Sequence, residues 1–282
     1  MRIHPAFWLA LFIAASMGLI REYLLILAVV TLHELTHVIV GLIFNLRLRE
    51  LIITPLGEAA VLKGLERKPP WVRAVVILSG PLMNLLIGII GFKLFDVTDI
   101  SMPETGFGLG YFFAANVALG VFNMLPALPL DGGRFWQLAL GNVLGVARAN
   151  RLICRTSRVV ACLLIFLGLI QLILYPFNLS LYCVGVYIMK NLHKEQIKLS
   201  FEFFSYFSAS RRTVQRVVPI KFFEAAPSME IESLIDCLRW DSFTVFHVYI
   251  EDSAIVSITE KELMSYIKDR GLKGCVSEML YE

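Results

Sequence analysis

Six apolar runs, separated by polar or charged segments, follow one another between residues 5 and 189. They cover residues 5–20, 23–44, 71–92, 107–128, 159–177 and 179–189. A helix needs about 20 apolar residues to cross the hydrocarbon core of a membrane. The pattern therefore predicts an α-helical polytopic membrane protein with six transmembrane helices, of which the last is short. The first run also fits a signal peptide, although the long run directly after it favours a membrane helix.

The segment between the second and third runs does not follow a helical pattern. Residues 51–54 and 58–62 are strand-like, and Pro55 and Gly57 lie between them. We therefore expect a small membrane-associated β-hairpin, whose free edge can accept a substrate segment in extended form. A hairpin that merely rests on the membrane is the open alternative.

The chain changes character after residue 192, where the predicted transmembrane domain (residues 1–192) ends. Residues 193–213 mix charged and aromatic residues, which is typical of an amphipathic linker at a membrane surface. The remainder, residues 214–282, predicts a small cytosolic α/β domain. Its elements are a helix, two strands and a helix over residues 228–239, 244–250, 254–258 and 259–271. Thr259 and Glu262 have the spacing of a capping box at the start of the second helix.

Composition supports the membrane assignment and limits the function classes. Hydrophobic residues make up 57% of the chain and charged residues 17%, with a mean hydropathy of +0.70. Globular chains carry about 25% charged residues, so these values exclude an ordinary soluble domain and a disordered chain. The net charge of +3 is too small to indicate nucleic acid as a partner. Five cysteines without a C-x-x-C pair indicate neither a disulfide framework nor a cysteine zinc site.

Basic residues are concentrated in every second loop between the runs. Most lie in residues 45–70, in residues 129–158 and after residue 189, whereas the opposite loops hold Arg21 and Lys93. The positive-inside rule then predicts that both termini lie in the cytosol.

The string HELTH occupies residues 33–37, inside the second apolar run. His33 and His37 are spaced i and i+4 and share one helix face, so both imidazoles can bind the same Zn²⁺. Glu34 is placed to take a proton from water at the metal. Counted from Tyr23 at about 1.5 Å per residue, His33 lies about halfway through a core of about 30 Å. Ionisable residues at that depth are costly and indicate a functional site.

A catalytic zinc site needs a third protein ligand. Asp131 is the best candidate among the few acidic residues near the apolar runs, because Pro126 and Pro129 interrupt the helix before it. Irregular backbone at membrane depth is tolerated where it lines a protein cavity. The alternative is an ordinary helix end with an aspartate in its turn.

Three motifs together resemble the site-2 protease family of intramembrane zinc metalloproteases. They are HELTH, the string SGPLMN at residues 79–84, and the N-x-x-P…LDGG string at residues 123–133. The resemblance covers residues 5–190, and it implies zinc as the cofactor of a metalloendopeptidase. Where the family has Asn-Pro-x-Asp-Gly, this chain has Leu128 in place of the asparagine.

The resemblance also implies roles for individual residues. His33, His37 and Asp131 are the implied zinc ligands, and Glu34 is the implied general base. The candidate substrate-binding residues are Asn84, Asn123 and Pro129. A hydrogen bond between helices is the other use open to Asn84.

The layout of six spans followed by one cytosolic domain is similar to the sporulation subgroup of this family, whose tail is a cystathionine-β-synthase (CBS) domain. This similarity implies a membrane-associated pro-sigma factor as the substrate, pro-sigma-K in particular, and membrane-protein inhibitors as partners. It also implies ATP binding and a homo-oligomer through the CBS-like domain, for which a plain docking domain is the alternative. The implied location is the bacterial cytoplasmic membrane, namely the mother-cell membrane around the forespore.

The residues also allow two function classes other than an enzyme. One is a catalytically inactive membrane sensor or scaffold that uses zinc structurally. The other is a metal transporter with histidines at the membrane midplane. The helix-breaking segment before Asp131 and the lack of an inverted repeat in the sequence speak against transport.

Overall fold

The computed structural model shows a mostly helical chain with two small sheets. It describes residues 2–3, 5–54, 57–65, 68–98, 108–174, 179–208, 219–240, 242–250, 254–271 and 274–280. The helices are α1 Pro5–Ser16, α2 Ile20–Ile43, α3 Pro70–Thr98, α4 Leu109–Asn123, α5 Asp131–Leu144, α6 Val146–Leu174, α7 Ser180–Ser208, α8 Ile231–Ile235, α9 Glu260–Arg270 and α10 Val276–Leu280. The strands are β1 Arg2–Ile3, β2 Arg47–Thr54, β3 Gly57–Lys63, β4 Ile220–Ala225, β5 Phe243–Ile250 and β6 Ala254–Thr259.

Three helices are long and apolar enough to cross a membrane among the residues that the structure describes. They are α2, the Pro70–Leu94 part of α3, and α6. The prediction of six spans is therefore not confirmed. Helix α1 has 12 residues and α4 has 15, whereas a straight crossing takes about 20. The sixth predicted run lies at the start of α7, which continues into a segment rich in lysine and glutamate.

The first compact unit consists of Met1–Leu125 and Leu130–Gly132. In it α3 packs against both α2 and α4. Gly88 and Gly91 bring α3 close to α4, because a Cβ at either position would collide with Val117 or Phe113. Small residues at such contacts are typical of helices that associate within membranes.

The predicted β-hairpin is present in this unit. Strands β2 and β3 pair antiparallel along their length, and Pro55 lies outside the described residues. The short strand β1, which sequence reasoning did not predict, pairs parallel with β2 at Ile52 and Ile53. Strand β2 is thus the middle strand, and within the described part of the chain β3 pairs with β2 alone.

The second compact unit consists of Pro126–Pro129 and Gly133–Glu282. Helices α6 and α7 pack against each other, and a Cβ at Gly185 of α7 would lie 2.7 Å from Ile165 Cγ1 of α6. Helix α7 continues to Ser208, so most of the predicted linker is helical, and residues 209–213 lie outside the described part. This division by contacts differs from the predicted domain boundaries at residues 192 and 213, which stay predictions.

The C-terminal tail, defined here as β4 to α10, contains the predicted α/β elements. Strand β5 pairs parallel with β4 and antiparallel with β6. Thr259 and Glu262 form the predicted capping box at the start of α9, which ends before Gly271. The helix predicted over residues 228–239 forms only as the five-residue α8. The identification of the tail as a CBS domain is not confirmed, and the predicted ATP site that depends on it has no support.

Within the second unit, the tail packs on the joint between α5 and α6. The Val146 N–H donates to the Leu238 carbonyl at 2.9 Å. Gly145 forms the joint with φ +92°, and a Cβ there would collide with the carbonyl of Asp236. Both the left-handed backbone and the close approach favour glycine at this position.

Ion pairs support this contact. The Asp236 carboxylate accepts from Arg148 Nε at 3.1 Å and from Arg151 Nη2 at 2.6 Å. Two of the basic residues that indicate the cytosolic side in the sequence are therefore engaged by the tail.

Candidate metal centre

The two histidines of the HELTH string lie on the face of helix α2 that packs into the protein. His33 and His37 are one helical turn apart and only 4% and 9% exposed, whereas Glu34 is half-buried. The two imidazole rings are 4.8 Å apart between centroids and nearly perpendicular to each other. The prediction that both histidines share one helix face is confirmed.

Asp131, the first residue of α5, brings a carboxylate to the two imidazoles. Its Oδ2 lies 3.0 Å from His33 Nε2 and 3.2 Å from His37 Nε2. The two Nε2 atoms are 3.2 Å apart. The structure thus brings the three predicted ligands together, and among the described residues they form the one group suited to share a metal ion.

The triangle of ligand atoms has dimensions that suit zinc. Ligand atoms about 2.0 Å from a tetrahedral Zn²⁺ are about 3.3 Å apart, and the observed separations of 3.0 to 3.2 Å are close to that value. Two imidazoles and one carboxylate are a ligand set of catalytic zinc sites, which keep a fourth position open for water or substrate.

Hydrogen bonding of His37 shows why a cation fits at this position. Its Nδ1 lies 2.7 Å from the carbonyl oxygen of Val76. Because a carbonyl only accepts, Nδ1 carries the hydrogen, and in the neutral imidazole Nε2 then presents a lone pair. That lone pair faces the carboxylate of Asp131 at 3.2 Å. Two acceptors so close repel each other unless a cation or an added proton lies between them, and zinc meets this requirement.

Gly80 of α3 makes room for both imidazoles. A Cβ at this position would lie 2.9 Å from His33 Cε1 and would collide with His37 Nε2. The neighbouring Ser79 donates to the Val76 carbonyl at 2.7 Å, the same oxygen that accepts from His37. Two residues of the SGPLMN string, Ser79 and Gly80, therefore lie against the candidate metal centre.

Two hydroxyl side chains of α6 hold the irregular segment that precedes Asp131. The Leu128 N–H donates to Ser157 Oγ at 2.8 Å, and Thr156 Oγ1 donates to the Pro126 carbonyl at 2.9 Å. These bonds satisfy backbone groups that a broken helix leaves without partners. Sequence reasoning missed both residues, and their one signal was a pair of hydroxyls beside an apolar run.

Asn84 lies beside the candidate metal centre and is completely buried. Its Oδ1 is 2.5 Å from His33 Nδ1, and its Nδ2 donates to Asn116 Oδ1 at 2.8 Å. Asn116 belongs to α4 and is a third residue that sequence reasoning missed. An asparagine in the middle of an apolar run was its only signal.

Asn123 and Pro129 are the other two candidate substrate-binding residues. Asn123 is half-buried at the end of α4 and donates to the Leu119 carbonyl of its own helix at 3.1 Å. Pro129 is half-buried in the segment before Asp131. Contact with a substrate stays a prediction for both, as it does for Asn84.

Comparison with protein families gives a match over the region that contains this centre. Residues 22–103 and 101–167 match the profile of Peptidase family M50. Together they cover more than half of the chain, and they include the three candidate ligands and Glu34.

Comparison with curated proteins gives relatives with related descriptions. The chain is 27% identical to Stage IV sporulation protein FB of Bacillus subtilis over 193 residues, which are 68% of this chain and 65% of that protein. It is 24% identical to a zinc metalloprotease of Methanocaldococcus jannaschii over 215 residues, which are 76% of this chain and 59% of that protein. The chain thus spans less than two thirds of the length of both relatives.

A solved structure has a similar fold. The site-2 protease from Methanocaldococcus jannaschii matches with a TM-score of 0.54 and 23% sequence identity. The match covers 69% of this chain and 89% of that chain. At this identity the likeness concerns the fold.

Proposed function

Because this chain belongs to peptidase family M50, we propose that it is a membrane-embedded zinc metallopeptidase of the site-2 type. The observation that carries the proposal is the triangle formed by His33 Nε2, His37 Nε2 and Asp131 Oδ2, with separations of 3.0 to 3.2 Å. Its two histidines lie on α2, a helix long and apolar enough to cross a membrane. A hydrolytic centre inside such a helix suits substrates that reach it from the membrane.

The proposed mechanism assigns separate tasks to the residues of the centre. His33, His37 and Asp131 would hold the zinc ion, which when bound supplies Lewis-acid chemistry by polarising the scissile carbonyl and acidifying water. Glu34 is half-buried and follows a ligand directly, so its carboxylate can receive a proton from the attacking water. The same carboxyl group then returns that proton to the leaving amine.

We propose that the substrate binds in extended form beside β3. A transmembrane helix hides its carbonyl groups in its own hydrogen bonds, so it must unwind before attack. Strand β3 pairs with β2 on one side, and among the described residues no strand pairs with its other side. An added strand there would satisfy the backbone of the unwound segment.

For the substrate itself we propose a membrane-associated pro-sigma factor, pro-sigma-K in particular, cut near the cytosolic face. The similarity to Stage IV sporulation protein FB supports this choice, together with the resemblance to the sporulation subgroup. The proposed setting is the bacterial cytoplasmic membrane with both termini in the cytosol. Membrane-protein inhibitors are the proposed partners.

The test is cleavage of a co-expressed precursor by the wild type and by Glu34→Gln. The variant keeps all three ligands, so it should retain zinc while its cleavage rate falls about 10²- to 10⁴-fold, the range for loss of a general base. Mass spectrometry of the product gives its new N-terminus, and metal analysis gives zinc per chain. Glu22→Gln, in the first turn of the same helix, is the matched control and should cleave like the wild type.

The possible results separate activity from substrate. Full cleavage by Glu34→Gln contradicts the mechanism, and a wild type that binds zinc but cuts no precursor contradicts the peptidase proposal. If the wild type cuts other membrane-tethered precursors and leaves pro-sigma-K intact, the peptidase proposal stands and the substrate assignment is wrong.

A further inference from the structure

A chain of hydrogen bonds runs from the metal centre into α4. His33 Nδ1 lies 2.5 Å from Asn84 Oδ1, and Asn84 Nδ2 donates to Asn116 Oδ1 at 2.8 Å. Asn116 Nδ2 then donates to the carbonyl oxygen of Phe112 at 2.8 Å. Both asparagine side chains are completely buried, so their amides are held among helices and not in solvent.

The direction of each of these hydrogen bonds is determined by the last acceptor in the series, the Phe112 carbonyl. The Phe112 carbonyl can only accept, so Asn116 turns its amide nitrogen toward it and its amide oxygen toward Asn84. That oxygen also accepts, so Asn84 presents its nitrogen to Asn116 and its oxygen to His33. His33 Nδ1 must therefore carry the hydrogen, which leaves Nε2 as the ring nitrogen that a metal can bind.

We propose that Asn116 and Asn84 are positioning residues that fix the tautomer and the orientation of His33 for metal binding. The inference rests on the proposed zinc centre and extends it to a residue of α4. Histidine ligands commonly donate their second ring nitrogen to an outer partner, and loss of such a partner typically weakens metal binding about 10- to 100-fold.

Both histidines donate from Nδ1, but they donate to different kinds of partner. His37 donates to the backbone carbonyl of Val76, which lies in a buried cluster with Leu46 and Val72. His33 instead depends on two side-chain amides whose oxygen and nitrogen are interchangeable in shape. A side-chain substitution can therefore remove the hydrogen-bond partner of His33, whereas the partner of His37 is a main-chain carbonyl that side-chain substitution leaves in place.

The burial of Asn84 favours this role over direct contact with substrate. Its oxygen is directed at His33 and its nitrogen at Asn116. An asparagine that binds substrate needs an exposed donor or acceptor, and the Asn84 side chain has no solvent-accessible surface.

The experiment measures zinc affinity of the full chain in detergent by competition with a chromophoric chelator. Asn116→Leu keeps the approximate shape and removes both polar groups, so its zinc dissociation constant should rise about 10- to 100-fold. Asn116→Asp offers a rescue, because a buried, neutral carboxylic acid donates through its hydroxyl and accepts through its carbonyl. Its zinc affinity should return close to that of the wild type.

A second readout separates positioning from a general loss of structure. The visible spectrum of the Co²⁺-loaded protein reports the ligand field, and it should change in Asn116→Leu and match the wild type in Asn116→Asp. Val121→Ala, at an exposed position of α4, is the control and should leave affinity and spectrum unchanged. Size-exclusion profiles of all variants show whether the fold is retained.

Each outcome bears on one of the two proposals. If Asn116→Leu binds zinc like the wild type, or if Asn116→Asp is as weak as Asn116→Leu, the positioning role is wrong and the zinc centre stands. If His33→Ala and His37→Ala also bind zinc like the wild type, the zinc centre itself is wrong. Retained affinity in Asn116→Asp with loss in Asn116→Leu and in both histidine variants supports the inference.

Discussion

Two carboxylates in this chain each lie between two basic side chains, yet they are suited to different tasks. Asp131 lies between the two imidazoles of α2 at 3.0 and 3.2 Å, and Asp236 lies between two arginines of α6 at 3.1 and 2.6 Å. The carboxylates themselves are similarly buried, with 18% and 12% of their side chains exposed. Burial of the acid therefore does not distinguish a metal ligand from a member of an ion pair.

The difference lies in the partners. A neutral imidazole offers a lone pair, so two imidazoles and a carboxylate can converge on a cation. A guanidinium has only donors and keeps its charge, so it neutralises the carboxylate and leaves no place for a metal. Exposure follows the same division, since the imidazoles are buried and the arginine side chains are 59% and 45% exposed.

The largest effect we expect is on zinc affinity, when the same substitution is made separately at each of the two carboxylates. Asp131→Asn removes a charged ligand, so zinc affinity should fall by more than the about 10- to 100-fold that an outer-shell change typically causes. Asp236→Asn should leave zinc affinity unchanged. Zinc per chain after dialysis against a chelator measures both, and equal zinc loss from the two variants would contradict the comparison.

A methyl group at Gly80 tests the packing of the imidazoles. Gly80→Ala places a Cβ against His37 Nε2 and 2.9 Å from His33 Cε1, and overpacking of this kind costs about 1–3 kcal/mol. We expect weaker zinc binding in chelator competition. Val75→Ile, which enlarges an exposed residue of the same helix, is the control, and wild-type affinity in Gly80→Ala would show that the rings can move aside.

A methyl group at Gly145 tests the tail contact in the same way. Gly145→Ala introduces a Cβ at φ +92° and against the Asp236 carbonyl, and the backbone conformation alone costs about 1–2 kcal/mol. Hydrogen exchange of the Val146 amide should accelerate, while zinc affinity stays at the wild-type value. Leu144→Ala, an exposed neighbour, should leave that exchange unchanged. Unaltered exchange in Gly145→Ala would mean that the joint adapts without strain.

The smallest effect we expect is on the ion pairs themselves. Pairs with solvent-exposed partners contribute about 0.2–1 kcal/mol, so Asp236→Asn should accelerate exchange of the Val146 amide only modestly. Because salt screens exposed charges, the difference from the wild type should shrink at high ionic strength. A difference that does not depend on salt would indicate that Asp236 acts through its hydrogen bonds and not through its charge.

The parts of the molecule with a local signal were predictable from the sequence. The i, i+4 spacing places His33 and His37 on one face of α2 because helical periodicity alone determines it. The capping box at Thr259 and Glu262 is equally local, and it forms as predicted. The position of Asp131 beside the two histidines depends on a contact between distant segments. It could be inferred because few acidic residues lie near the apolar runs.

The parts that depend on distant contacts were not predictable in the same way. The helix predicted over residues 228–239 stops at Ile235, and Leu238 instead accepts a hydrogen bond from Val146 of α6. Asn116 and Ser157 were missed because the sequence around a single polar residue does not indicate which distant group it will hydrogen-bond. Hydropathy also overestimated the length of the helix in the fourth run, because apolar sequence continues to residue 128, beyond the end of α4 at Asn123.

The hydrogen bonds that hold the imidazoles bear on the order in which the protein folds and binds zinc. His33 is held by Asn84 and His37 by the Val76 carbonyl, so groups outside the three candidate ligands orient both rings. In zinc fingers the metal is needed for folding, and zinc shortage leaves an unfolded chain. Because these orienting groups belong to the fold and not to the metal, we expect folding and metal loading to be separate steps here. If the proposed function holds, a cell short of zinc would accumulate folded, inactive protein, and added zinc would activate that pool without new synthesis.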